Sequence, residues 1–155
     1  IFPLLSKHFE QIAMAKVSAS ALEAREMGYL KSEDVIIANS NELLYVAKYQ
    51  ALAMLESGYR PPLDDTFKVV GKAGYANIMA QVANLFEGHF MSEHDKYCIS
   101  SLAKVMTGSL VEENTVVNSK MILDLERKYF VELLGTQKTQ DRIEFMLRNS
   151  KPLRN

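Results

Sequence analysis

The chain has 155 residues, a length that suits a single domain. Hydrophobic residues make up 48% and charged ones 24%, an ordinary globular balance that lets a core form without disulfide or metal staples. Net charge is -1, from 18 basic and 19 acidic residues, and this excludes a broad nucleic-acid surface, which needs a basic excess.

The single cysteine, Cys98, excludes an intrachain disulfide framework and fits a reducing, cytoplasmic setting. No apolar run approaches the ~20 residues needed to cross a bilayer, and there is no basic-then-apolar secretory start. Ile1-Phe2-Pro3 runs almost at once into a helical pattern, as expected of a piece of a longer reading frame.

Helices are expected one after another. Leu5, Phe9, Ile12 and Ala13 recur at three- and four-residue steps, a first amphipathic helix. Ser20 and Glu23 have capping-box spacing, and the helix they open stops at Gly28, where a left-handed C-cap suits a residue without Cβ. Val35-Ile36-Ile37 is a β-branched run that suits a brief extended segment. Asn39 to Glu42 caps a long helix with Leu44, Ala47, Ala51, Met54 and Leu55 on its stripe, ended by Gly58. Pro61-Pro62 then forces extended backbone. The expected division is a helical segment over 1–57, a linker over 58–66 and a helical region over 67–155.

Thr66 to Val70 is a second β-like run, and Gly71 and Gly74 mark a turn. Ile78, Met79, Val82, Leu85 and Phe86 form the next helical face. Ser92 opens a helix with Tyr97, Cys98, Leu102 and Val105 inward, and 109–117 reads as a loop. Asn118 or Ser119 starts a helix with Ile122, Leu125, Tyr129 and Leu133 inward; Asp124 and Lys128 sit a turn apart on its polar side. Gly135 ends it. Thr136 caps the last helix, with Ile143, Met146 and Leu147 inward and Pro152 beyond its end.

Few residues suggest chemistry. His89 and His94 flank a turn beside Glu93 and Asp95, but H-x-x-x-x-H across a helix start is not a ligand spacing, so solvated cap polarity is expected and no metal site. His8 reads as an edge residue. Cys98 on an apolar face reads as a structural thiol, since a nucleophile needs a neighbouring base. Glu112 and Glu113 are adjacent and diverge on regular structure. There is no phosphate-binding glycine loop, and Gly71-Lys72-Ala73-Gly74 reads as a plain turn before a helix. Eight methionines, mostly in helix-like segments, read as core filler.

Two segments carry a family likeness. Met121 to Asn155 reads MILDLERKYFVELLGTQKTQDRIEFMLRNSKPLRN. It resembles the C-terminal signature of the crotonase (enoyl-CoA hydratase/isomerase) family: a Glu-x-x-x-Phe helix, Thr-x-x, a short helix and a closing Lys-Pro. Ile12 to Ala53 resembles a crotonase passage at Ser20, Glu23, Ala24, Gly28, Tyr29, Leu30, Val35, Ile36, Glu42, Leu43, Leu44 and Ala47. Between them, GYRPPL, VVGKAGYANI and EGHFMSEHD depart from simple hydratases and resemble 3-hydroxyacyl-CoA dehydrogenases whose C-terminal part is crotonase-like.

The resemblance implies a fragment of a fatty-acid β-oxidation enzyme, non-catalytic alone, that closes the acyl-CoA pocket and makes subunit contacts. NAD belongs to the parent, and no cofactor site falls in this chain. In the family an aromatic and a basic residue on the last helix help hold CoA. Aligned on Lys151-Pro152 these positions are Met146 and Asn149, neither of the family's type. Met146, Asn149 and Lys151 are thus the acyl-CoA candidates, with Arg148 and Arg154 keeping the end basic; helix-end charge favourable to the macrodipole explains the basic residues equally well. The fold expectation is all-α, five to seven helices with at most one or two very short extended segments. The expected partners are acyl-CoA through the parent, and either a second copy or the missing catalytic core against an exposed apolar surface. The alternative is a stand-alone helical interaction module.

Overall fold

The computed structural model describes residues 2–61, 63 and 66–155. They contain seven α-helices, one 3-10 turn and a two-stranded antiparallel sheet, the mostly helical fold that the sequence predicts. The chain forms two compact units, Ile1–Met14 with Asp64–Asn155, and Ala15–Leu63. The helix α1 (Phe2–Ala13) packs on α5 (Glu93–Met106) within the first of these units. Of the expected linker over 58–66, Pro62, Asp64 and Asp65 lie outside the described residues.

The first unit is built on α1, α5 and α4 (Gly71–Glu87). Phe9, Ile78, Val82 and Ala103 form its buried centre, with Leu5, Ala13, Met79 and Leu102 packed around them. Ile12, expected inward, is 47% exposed. The expected turn at Gly71 and Gly74 is instead the first turn of α4. Gly71 has φ +52°, and a Cβ there would meet the carbonyl oxygens of Val111 and Glu112. Its amide donates to Thr107 O at 2.9 Å and the Lys72 amide to Val111 O at 2.8 Å. Glycine is therefore present for close backbone approach rather than for a reversal.

The strands β1 (Thr66–Lys68) and β2 (Val116–Asn118) pair with Phe67 opposite Val117. The expected loop over 109–117 thus ends in a strand, because pairing satisfies backbone groups that an isolated run leaves open. Asn118 then caps α6 (Ser119–Leu134), accepting from the Met121 amide at 2.9 Å. Tyr129 is buried on its inner face, with Ile122, Leu125 and Leu133 half-buried. Asp124 pairs with Lys120 at 2.5 Å, while the Lys128 ammonium lies 5.2 Å from the Tyr129 ring centre.

Thr136 caps α7 (Gln137–Asn149), as its position predicts. The expected inward set is different, however. Ile143, Met146 and Leu147 are exposed, whereas Arg142 is half-buried. Periodicity locates an apolar stripe but does not say that a neighbour covers it.

In the second unit, Ser20 caps α2 (Ala21–Glu26), accepting from Glu23 N at 3.1 Å. The Glu23 carboxylate accepts from Ala19 N, one residue before the cap. Arg25 fastens the following loop by donating to the Lys31 and Asp34 carbonyls. Val35–Ile37 forms no strand. Asn39 caps a 3-10 turn, Ser40–Glu42, which leads into α3 (Leu43–Glu56). No described residue of α3 is buried.

Candidate functional site

The densest polar cluster joins the start of α5 to α7. Ser92 and Asp95 form a reciprocal capping box: the Asp95 amide donates to Ser92 Oγ at 3.1 Å, and the Ser92 amide to Asp95 Oδ2 at 3.0 Å. The other carboxylate oxygen of Asp95 meets Arg142 Nη1 at 2.8 Å. Arg142 also donates through Nε to Asn155 Oδ1 at 2.8 Å and through Nη2 to the Asn155 carbonyl at 3.2 Å. Burial pulls the Asp95 carboxyl upward, but hydrogen bonds from Ser92 and Arg142 outweigh it and hold the group below the usual range.

His94 lies beside this pair, 6% exposed, and shares a 3.0 Å hydrogen bond with Thr139 Oγ1 through Nε2. This corrects the expectation of solvated cap polarity: His89 is exposed, but His94 is buried under α7. The two histidines do not converge, and no group of three or more metal-ligating side chains comes together among the described residues. Burial, then the charges of Arg142 and Lys138, lower the His94 pKa, with Asp95 opposing.

Cys98 is half-buried, and burial raises its thiol pKa, the direction of an inert structural thiol. Glu112 reaches Lys72 at 2.5 Å across the exposed start of α4. The amides of Gly71 and Lys72 are already bonded to the loop carbonyls of Thr107 and Val111. Gly71-Lys72-Ala73-Gly74 therefore does not fit a dinucleotide pyrophosphate, which needs free amides at a helix start.

Met146, Asn149 and Lys151 lie at or just beyond the end of α7, all exposed. Asn149 donates its amide to Phe145 O at 2.9 Å. A shallow depression lined by Asp141, Glu144, Phe145, Arg148, Asn149 and Leu153 includes one of the three. The Arg142–Asp95 and His94–Thr139 contacts escaped the sequence reading. Ser92-x-x-Asp95 carried a capping-box signal, whereas nothing local tied Arg142 or Thr139 to it.

The described residues define a mostly helical chain whose polar cluster ties helices together rather than facing an open cleft. Among proteins of known sequence, the chain is similar to the "Probable 3-hydroxyacyl-CoA dehydrogenase" of Bacillus subtilis (strain 168), 44% identical over 149 residues. The match covers 96% of this chain but 19% of that protein, so the chain spans about a fifth of its relative's length. No protein-family model matches the chain, and no solved structure does.

Proposed function

We propose that this chain is a non-catalytic helical part of a longer 3-hydroxyacyl-CoA dehydrogenase with a crotonase-like region, acting in fatty-acid β-oxidation. The observation that carries this reading is the 44% identity across nearly the whole chain to one fifth of a protein of that name. The crotonase-like assignment rests on the terminal signature and on the Ile12–Ala53 phrases. In this reading NAD binds elsewhere in the parent, which acts in the cytoplasm.

Oxidation of a 3-hydroxyacyl thioester needs a general base near the hydroxyl and a hydride acceptor beside the carbon. His94 is buried against Thr139, and Asp95 is engaged by Arg142 and Ser92. Both serve the docking of α7. The proposed contribution is thus structural: pocket closure and subunit assembly, with Met146, Asn149 and Lys151 near the CoA moiety. Lys151 supplies a charge for a CoA phosphate.

The test is expression of the full reading frame beside the 155-residue chain. The full protein is expected to form NADH from 3-hydroxyacyl-CoA and to hydrate enoyl-CoA; the chain alone should do neither. Lys151→Glu in the full protein is expected to raise KM for the CoA thioester about threefold to tenfold while kcat stays within twofold, the pattern of lost uniform binding. Activity of the isolated chain would overturn the non-catalytic reading, and an unchanged KM would remove Lys151 from the site.

A further inference from the structure

Resting on that reading of the chain as part of a longer dehydrogenase, we infer that α3 is an internal helix, enclosed on opposite sides by the remainder of the same protein. Within its fourteen residues, Lys48, Gln50 and Glu56 are the only charged or amide side chains. At 3.6 residues per turn, Leu43 and Leu52 project from opposite sides of the axis, and they are 53% and 42% exposed. Leu44 and Leu55 form a further ridge, 83% and 75% exposed. Tyr45 and Tyr49 meet one turn apart, their ring centres 4.5 Å from each other and their planes tilted by 51°.

A helix apolar all round belongs inside a protein, whereas a dimer seam needs one stripe and leaves the far side polar. A second copy therefore covers too little of α3. The relative supplies an occupant of sufficient size, since about four fifths of its length lies outside the matched stretch.

Hydrogen exchange over Leu43–Glu56, read by mass spectrometry, tests this in the isolated chain at two concentrations and in the full-length protein. The expected result is exchange on the order of tenfold or more slower in the full-length protein, with no concentration dependence in the isolated chain. Leu43→Asp and Leu52→Asp, made singly in the full-length protein, are each expected to abolish that slowing. The wild-type comparison stands even if a variant does not fold.

Equal protection in the isolated chain would overturn the inference, because the cover would then come from this chain itself. Concentration-dependent protection would assign the cover to a second copy. Sensitivity to one leucine and not the other would reduce the enclosure to a single face. An unprotected α3 in a full-length protein that forms NADH would sink the inference and leave the dehydrogenase reading standing. A full-length protein without that activity would sink the reading itself.

Discussion

His94 sits where its charged form is penalised. Burial acts first and the nearby charges of Arg142 and Lys138 add to it, so the folded-state pKa lies below the ordinary 6.5. Above 6.5 the imidazole is neutral in folded and unfolded chains alike. As pH falls through that value, the unfolded chain takes up the proton first, and the native state loses stability. Asp95, with its pKa held below 3.8, contributes stability above that value that is lost as pH falls further. The thermal midpoint of the chain is therefore expected to drop between pH 7.5 and 5.5, and His94→Gln should flatten that slope; an unchanged slope would remove His94 as its source. Gly71 offers a second residue-scale test. Any side chain there combines φ +52° with contact on two carbonyl oxygens, so Gly71→Ala is expected to cost about 2–3 kcal/mol. A lower urea midpoint at unchanged m-value would show it.

At the scale of elements, α7 is held by polar side chains more than by apolar burial. None of its residues is buried; Arg142 and Thr139 reach α5 through Asp95 and His94. Arg142→Ala leaves the mostly buried Asp95 carboxylate without its cation, which is expected to cost about 2 kcal/mol and to speed exchange in α7 while leaving α4 and α5 unchanged. Uniformly faster exchange would mean that α7 is part of one cooperative core. Helix starts were legible in the sequence because a cap is local: Ser92, Asn118 and Thr136 each accept from an amide three residues on. The clamp was not legible, because His94 and Thr139 lie 45 positions apart and no spacing rule joins them. The apolar residues of α3 and α7 were readable from the sequence. Their exposure was not, since periodicity reports the pattern of side chains and not the presence of a neighbour. The expected CoA contacts at Met146, Asn149 and Lys151 rest on a likeness of motif; of the three, Asn149 lines the shallow depression at the end of α7.

At the scale of the molecule, the two compact units are unequally supplied with a core. The first encloses Phe9, Ile78, Val82 and Ala103; in the second, Met27 is the buried hydrophobic residue among those described. Ile78→Ala, which empties a site 2% exposed, is expected to cost the first unit about 2–4 kcal/mol. The second unit has no comparable centre to lose. Segments that bury little apolar surface open locally at low free energy, and proteolysis follows that open population when opening is fast relative to cleavage. Lys48 lies within exposed α3, whereas Lys104 lies in α5 beside buried Ala103. Trypsin is therefore expected to cut the isolated chain after Lys48 on the order of tenfold faster than after Lys104, timed by mass spectrometry of the fragments. In a parent that encloses α3 that difference should vanish, because both helices would then be interior. Slow cleavage at Lys48 in the isolated chain would show that Ala15–Leu63 is stable without a partner, and the need for a surrounding protein would fall with it.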